Sequence, residues 1–432
     1  MKHLTSYLLI LIAAISLCAC SSDNSGGGDD GPTTYRRSVI IYVAAQNSLG
    51  AAGAARLDSA EVYNGAILNS NSKDNVFLFI DDARLPRLYR IYKYKNRTIC
   101  DKIKVWPEDV CSSDPATLCD IIKSVGQQYP SESYGLVLWS HGSGWLASDN
   151  VVNTLKSRSF SFGIDVGPGG DMRNDKDADN LPAPKMDIAD MAQAIRQSGV
   201  TFDYIFFDAC LMQNIEVAYE LKDVTRYLVG SPISTSAYGG YYTNLIPRAL
   251  MAYPANDQNV SLIASQYYYD AVENPDLRKY YGETGCVMSV IKTEQLPQLA
   301  QATGQLIAKY LAGKKSPSLI NVQAYCSSQA YNLPDFCDMG SVMGQMVTPE
   351  EYAAWTALAK QVVINHKASN KFILFNTAFS TRYGYITDRD HILGVSMYVP
   401  RNMFNSPQYS QFNQQFKKTA WYRDANWAAT GW

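Results

Sequence analysis

A histidine and a cysteine each follow an apolar run that is typical of a buried β-strand. His141 comes directly after residues 135–140, and Cys210 comes shortly after residues 203–207. A thiol acts as a nucleophile when a neighbouring base takes its proton or when its pKa is lowered. Histidine is the usual base, because its pKa lies near the working pH. The two residues together indicate nucleophilic catalysis by a cysteine.

Each residue taken alone also has a purely structural explanation. A single cysteine after a strand is usually a small buried hydrophobe, and a histidine at a strand end is often a structural hydrogen-bonding group. The sequence has only four histidines, however, and one of them is His3. The N–H groups of Gly142 and of Cys210, which we expect at a helix start, are candidate donors to an oxyanion. One such donor contributes about 3–4 kcal/mol in the transition state.

The surrounding pattern predicts how these residues are positioned. Runs rich in β-branched and aromatic residues lie at 38–45, 75–80, 135–140, 203–207 and 227–230, and helical patterns lie between them at 51–67, 116–128 and 186–195. Strands that alternate with helices predict a mainly parallel sheet with helices on both faces. Functional residues gather at the carboxyl ends of such strands, which lie about 4.8 Å apart. We therefore expect His141 and Cys210 to face each other across a short gap.

The motifs at these strand ends resemble those of a known group of enzymes. His-Gly after one apolar strand and Asp-Ala-Cys after the next resemble the caspase-like clan of cysteine peptidases, in which caspases carry Gln-Ala-Cys downstream of a histidine. A closer similarity is to the clostripain family, and it involves residues 39–49, 136–145, 207–221 and 394–400. The resemblance implies a caspase-like, mainly parallel α/β fold with a C-terminal α/β extension. It also implies a cysteine endopeptidase that acts through an acyl-enzyme.

Carried over to this sequence, the resemblance implies a role for each matching residue. His141 is the general base, Cys210 is the nucleophile, and Asp208 lies in the primary specificity pocket. A buried carboxylate binds a guanidinium through two charge-assisted hydrogen bonds, so cleavage after Arg, and then Lys, is expected. The other interpretation of Asp208 is a cap on the following helix. Residues 231–242 lack the glutamate that the family usually has there, but they are expected to wall the substrate groove, beginning with Ser231.

Residues 150–184 are rich in Gly, Asp, Asn and Ser and are interpreted as a long surface insertion. Family members are often zymogens that cut themselves between the two catalytic blocks. The candidate cleavage positions are Lys156, Arg158, Arg173 and Lys176. No cofactor is required for the chemistry, although some relatives need calcium. The candidate oxygen ligands are Asp165, Asp171, Asp175, Asp177 and Asp179, and the other interpretation of these aspartates is a solvated acidic loop.

The N-terminus has the pattern of a bacterial lipoprotein signal. Residues 1–19 contain a short apolar run before Cys20, and residues 20–34 form a polar Gly/Asp/Ser tether. The resemblance to a lipobox implies that Cys20 is lipidated and anchors the protein to the outer membrane. Exposure of the anchored protein on the cell surface is left open. Ordinary signal cleavage that gives a soluble secreted protein is the alternative. The remaining chain is divided into a catalytic core at 35–250 and an extension at 251–432 that completes the sheet and the helical layers.

Composition narrows the function classes further. The 432 residues are 47% hydrophobic and 18% charged, with a net charge of −2 and no basic stripe, so nucleic acid is not expected as a partner. Seven of the nine cysteines lie beyond Cys20. Their spacing does not predict which of them would pair in disulfides. We expect a monomer, in two chains after self-cleavage, that acts on proteins or peptides containing Arg or Lys. The competing hypotheses are an inactive surface lipoprotein that binds protein or glycan and a structural protein with Cys210 in its core.

Overall fold

The computed structural model describes residues 34–146, 161–180, 183–277, 284–326, 336–376, 381–406 and 412–432. The strands are β1 Arg37–Ala44, β2 Asp74–Asp81, β3 Arg87–Tyr94, β4 Arg97–Val105, β5 Tyr134–Trp139, β6 Phe202–Asp208, β7 Thr225–Gly230, β8 Val287–Lys292, β9 Ala324–Cys326, β10 Phe336–Asp338, β11 Val363–Ala368, β12 Lys371–Asn376, β13 Thr381–Tyr385 and β14 Ser396–Met397. The α-helices are α1 Ser48–Ala51, α2 Ala54–Leu68, α3 Pro115–Gln128, α4 Ile188–Ser198, α5 Ile215–Leu221, α6 Tyr242–Leu245, α7 Asp257–Tyr268, α8 Leu296–Tyr310, α9 Met339–Met346, α10 Pro349–Val362, α11 Phe412–Phe416 and α12 Ala420–Asp424.

A nine-stranded sheet forms the centre of the protein, in the order β11-β8-β7-β6-β5-β1-β2-β3-β4. The five middle strands, β7, β6, β5, β1 and β2, pair in parallel. The outer strands pair antiparallel, with β3 and β4 at one edge and β8 and β11 at the other. The mainly parallel sheet that the sequence predicts is confirmed.

Both faces of the sheet are covered. Along β1, Ile40 and Tyr42 pack with α3 and α4 on one face, whereas Ile41 and Val43 pack with α2 and α7 on the other. A strand that is buried on both faces needs an apolar side chain at every position, which explains the continuous apolar runs. Helices on both faces are confirmed as well.

The C-terminal part of the chain adds strands to the same sheet. The apolar run at 287–291 forms part of β8, and β11 pairs with it at the edge. The run at 392–399 was expected to be a strand, but only β14 is one, in a small sheet with β10 and β9. Side chains take the place of a neighbouring strand there: Asp338 accepts from the N–H of Leu393, and Glu216 accepts from the N–H of Tyr398. The division of the chain at residue 250 stays a prediction.

The region interpreted as a surface insertion is partly buried. Phe162 and Asp165 are 0% and 1% exposed. The N–H of Phe162 donates to the carbonyl of Met186, and the N–H of Gly163 donates to the carbonyl of His141. Residues 161–166 are therefore part of the core beside the site, so the interpretation as a surface insertion is wrong for them.

Two further expectations concern disulfides and membrane spans. No disulfide joins any of the seven cysteines that the structure describes. Within the described ranges, no helix combines the length and the apolar character that a membrane span requires. The signal peptide, Cys20 and the tether up to residue 33 lie outside the described residues.

Candidate active site

The strand register brings the histidine and cysteine segments together. β5 and β6 are parallel neighbours, and Trp139 lies directly opposite Asp208. His141 and Cys210 follow these two residues by the same number of steps, so both leave the sheet at one edge. A methyl group on Gly142 would lie 2.6 Å from the carbonyl oxygen of Cys210. The two turns are therefore in direct contact, and only glycine fits between them.

Cys210 lies in a tight turn and not at a helix start, which corrects the sequence-based expectation. The next residue, Leu211, has a left-handed φ of 62°, and α5 begins only at Ile215. The Cys210 sulfur accepts a hydrogen bond from the N–H of Thr235 at 3.3 Å and lies 3.5 Å from the Thr235 hydroxyl. Burial raises the pKa of the Cys210 thiol, whereas the hydrogen bonds with Thr235 lower it. A raised pKa leaves the thiol protonated at neutral pH, so its chemistry needs a base.

His141 is half-buried and is held from the side of β1. Its Nε2 lies 2.9 Å from the hydroxyl of Ser48 and 3.9 Å from Asp175 Oδ2. Ser48 is the first residue of α1, and the side chain of Asn47 caps this short helix. Asn47 is fully buried and also donates to the carbonyls of Ala44 and Ile164. This asparagine therefore fixes Ser48 relative to the end of β1.

Asp208 ends β6 and is 4% exposed. Its Oδ2 accepts hydrogen bonds from the Tyr242 hydroxyl at 2.7 Å and from the Gly240 N–H at 2.8 Å. Its Oδ1 is buried and makes no hydrogen bond with any described residue. The carboxylate thus bonds the loop before α6 and the first residue of α6, and not the N-terminus of α5, which argues against the helix-cap interpretation. Burial raises the pKa of Asp208 to about 6, although its two hydrogen bonds oppose the shift.

Two more carboxylates lie close to Asp208, and sequence reasoning missed both. Asp58 of α2 accepts a hydrogen bond from the indole N–H of Trp139 at 2.6 Å, and Glu61 accepts one from the N–H of Tyr242 at 3.1 Å. Burial and the charge of Asp208 raise the pKa of Glu61 to about 8 and that of Asp58 well above its usual range. The only sequence signal is a pair of acidic residues at i and i+3 of a helix whose other residues are mostly apolar. A raised pKa favours the uncharged acid, so Asp208 carries most of the negative charge at this end of the sheet.

The loop at 231–242 contacts both halves of the site. Thr235 contacts the Cys210 sulfur, while Gly240 and Tyr242 hold Asp208. Gly239 has a φ of 57°, and a methyl group there would lie 2.6 Å from Asp208 Oδ2. Sequence reasoning predicted that this segment borders the site, but it did not identify Thr235 or Tyr242.

Ser231 shapes the start of this loop. It is 1% exposed, and its hydroxyl hydrogen-bonds with the N–H and the carbonyl of Ile233. Its hydroxyl is thus used within the loop, and the substrate contact assigned to Ser231 stays a prediction. The oxyanion roles of Gly142 and Cys210 stay predictions too.

Three of the five aspartates considered as calcium ligands have other hydrogen-bonding partners. Asp165 accepts from the N–H and hydroxyl of Ser112, Asp175 binds Ser48, and Asp171 closes its own turn. Among the residues that the structure describes, no group of three or more His, Cys, Asp or Glu side chains is arranged to hold a metal ion. Of the candidate cleavage positions, Arg173 and Lys176 are described, whereas Lys156 and Arg158 lie outside the described residues.

A histidine and a cysteine at neighbouring strand ends of a mainly parallel sheet, beside a buried acidic pocket, define a caspase-like cysteine peptidase architecture. Sequence comparison agrees. The model of the clostripain family of peptidases matches residues 41–432, and the chain therefore belongs to the clostripain family of cysteine proteases. A search of curated proteins found no match.

Solved structures of this family are similar over nearly the whole chain. A secreted C11 cysteine protease from Bacteroides thetaiotaomicron, in complex with an irreversible peptide inhibitor, is 25% identical. It covers 91% of this chain and 99% of its own, with a TM-score of 0.72. An inactive zymogen C11 protease from Parabacteroides distasonis is also 25% identical, covers 92% of this chain and 99% of its own, and has a TM-score of 0.70.

Proposed function

We propose that this protein is an endopeptidase that cleaves after Arg, and less readily after Lys, through a His141–Cys210 dyad and an acyl-enzyme. One observation carries the specificity: Asp208 Oδ1 is buried beside the cysteine turn with no hydrogen-bond partner among the described residues. A buried carboxylate oxygen without a donor is costly. A substrate cation supplies that donor.

The proposed reaction begins with proton transfer from the Cys210 thiol to His141. The thiolate attacks the carbonyl carbon of the scissile peptide bond, and the N–H groups of Gly142 and Cys210 stabilise the resulting oxyanion. The tetrahedral intermediate collapses, and the C–N bond breaks as His141 protonates the leaving amine. The substrate remains as a thioester on Cys210. His141 then takes a proton from water, which hydrolyses the thioester and restores the thiol.

The preference for Arg over Lys follows from geometry. A guanidinium presents parallel N–H groups that match both oxygens of a carboxylate, whereas an ammonium acts as a point charge. Asp208 Oδ2 is already engaged by Tyr242 and Gly240, so Oδ1 receives the strongest new bond. The charge of Asp208 supplies a negative potential there, because the raised pKa values of Asp58 and Glu61 favour their uncharged forms. Both basic residues gain from this potential, and Arg gains more.

Self-processing is part of the proposal, and the related zymogen from Parabacteroides distasonis is consistent with it. We favour Lys156 or Arg158 as the cleavage position. Lys176 exchanges two backbone hydrogen bonds with Asp171 and so lies in a closed turn, whereas a peptidase binds an extended chain. Arg173 lies inside the same turn. We also propose that Cys20 anchors the processed protein to the outer membrane.

Cleavage of a peptide library, read by mass spectrometry, tests the proposal. The expected products end in Arg, with fewer that end in Lys, and Cys210→Ala abolishes them. Cys119→Ala is the matched control, because it removes another half-buried thiol on α3. Loss of cleavage in the control, or products without basic ends, would contradict the proposal. A processed wild-type chain that cleaves nothing would favour the alternative of an inactive binding lipoprotein.

A further inference from the structure

Asp175 and Ser48 hold the imidazole of His141 from the side of Nε2. Asp175 Oδ2 lies 3.9 Å from Nε2. The Ser48 hydroxyl lies between them, 2.9 Å from Nε2 and 3.0 Å from Oδ2. The backbone N–H of Ser48 also donates to Asp175 Oδ1, at 2.7 Å. Both oxygens of one carboxylate therefore fix the position of this serine.

The number of protons sets the direction of each hydrogen bond. A carboxylate only accepts, so the single hydroxyl proton of Ser48 points to Asp175. The serine oxygen is then an acceptor toward the ring, and His141 must offer an N–H at Nε2. Neutral imidazole has one N–H. Nδ1 is therefore the nitrogen with the lone pair, and it is the one able to take a proton.

The turn that carries Asp175 is preformed. The N–H of Asp171 donates to the carbonyl of Lys176, and the N–H of Lys176 donates back to Asp171. Asn174 donates to the Asp171 carboxylate at 2.7 Å. Asp175 itself has a left-handed φ of 55°, a conformation that aspartate tolerates better than most residues. The carboxylate thus reaches Ser48 from a closed turn.

The 161–180 segment is also attached next to His141 without help from Asp175. The N–H of Gly163 donates to the carbonyl of His141, and the N–H of Val166 donates to the carbonyl of Gln46, both at 2.9 Å. Asn47 donates to the carbonyl of Ile164 at 3.0 Å. Removal of the Asp175 charge is therefore expected to leave the segment in place. The role of the charge and the role of the segment are separable.

We infer that Asp175, acting through Ser48, is a positioning residue for catalysis by His141. It holds the neutral ring as the Nε2–H tautomer with Nδ1 as the base, and it offsets the positive charge that His141 gains from the thiol. The inference rests on the proposed function of His141 as general base. Asp175 on the 161–180 segment is a carboxylate 3.9 Å from the ring, and Cys210 on the turn after β6 is its proposed proton donor.

NMR of 15N-labelled histidine in the whole chain tests this without any need for peptidase activity. Neutral His141 is expected as the Nε2–H tautomer. Asp175→Asn is expected to lower the His141 pKa, because an opposite charge 3.9 Å from Nε2 is lost. Asp179→Asn is the control, since Asp179 is an exposed carboxylate of the same segment. An Nδ1–H tautomer, or an unchanged pKa in Asp175→Asn, would overturn the inference.

Kinetics with an arginyl substrate provide the second measurement. Asp175→Asn and Ser48→Ala are expected to lower kcat about 10- to 100-fold, which is part of the rate enhancement that a positioned acid–base group contributes. KM is expected to stay within about twofold of the wild-type value. Equal kcat in Asp175→Asn and Asp179→Asn would overturn the inference and leave the proposed function standing. A wild-type chain that cleaves no peptide would overturn the proposed function, whereas the NMR tautomer would still decide how Asp175 and Ser48 hold the ring.

Discussion

Replacement of Asp208 by Asn removes one negative charge from the proposed specificity pocket with almost no change of shape. The Tyr242 hydroxyl and the Gly240 N–H both donate to Oδ2. An Asn amide must therefore turn its oxygen toward these two donors and its NH₂ toward the substrate. A hydrogen bond to a charged group contributes about 1.5–3 kcal/mol, and 1.4 kcal/mol is tenfold. We expect kcat/KM for an arginyl substrate to fall about 10- to 100-fold.

A pair of substrates that differ only in arginine and citrulline isolates this effect, since citrulline is the neutral isostere. The ratio of the two kcat/KM values cancels the titrations of His141 and Cys210. Because burial raises the pKa of Asp208 to about 6, the carboxyl is neutral below that pH and ionised above it. The ratio should therefore rise as pH increases through about 6 in the wild type and stay flat in Asp208→Asn. A ratio near one at pH 8, or an unchanged ratio in the variant, would refute the assignment.

Three further changes have defined expected results. Gly239→Ala should weaken cleavage after Arg about tenfold or more, because its methyl group would lie 2.6 Å from Asp208 Oδ2. Gly199→Ala is the control, since it has the same left-handed strain but no atom within 4 Å of the new methyl group. Equal kinetics in the two variants would contradict this. Thr235→Val removes a hydroxyl 3.5 Å from the Cys210 sulfur. Because this hydroxyl lowers the pKa of the thiol, the pH midpoint of iodoacetamide labelling should rise in the variant, and a fall would be inconsistent with the site. Because burial raises the pKa of Glu61 from 4.5 to about 8, stability is lost as pH rises between these values, at about 1.4 kcal/mol per pH unit. Urea unfolding of Glu61→Gln should therefore show up to about 5 kcal/mol less of this loss. Identical pH profiles in the two proteins would argue against a buried carboxyl.

The sequence was sufficient for the sheet and for the two strand ends that carry the candidate catalytic residues. Continuous apolar runs mark strands that are buried on both faces, and the parallel register then places His141 and Cys210 at one edge. These features depend on local patterns and on a general rule of parallel sheets. Contacts between residues that are far apart in the sequence could not be predicted in the same way. Ser48 and Asp175 meet only because a turn of the 161–180 segment folds back onto α1.

The wrong expectations have local physical causes. The left-handed backbone at Leu211 delays the helix after Cys210. The run at 392–399 looks like a strand because it is apolar, but the carboxylates of Asp338 and Glu216 accept its N–H groups. Residues 161–166 look like a polar loop, although Phe162 is fully buried. In the first two cases a turn or side chains satisfied the backbone where regular structure was expected.

Covalent labelling tests most directly whether His141 and Cys210 work as a pair. An irreversible trap with arginine before the reactive group would be added to the wild type, to Cys210→Ala and to His141→Ala, and the adduct would be located by peptide mapping. The wild type should carry one adduct, on Cys210, and Cys210→Ala none; labelling of His141→Ala should be slower by about 100-fold or more. An adduct on Cys119 or Cys111 in place of Cys210, or equal labelling rates with and without His141, would contradict the account.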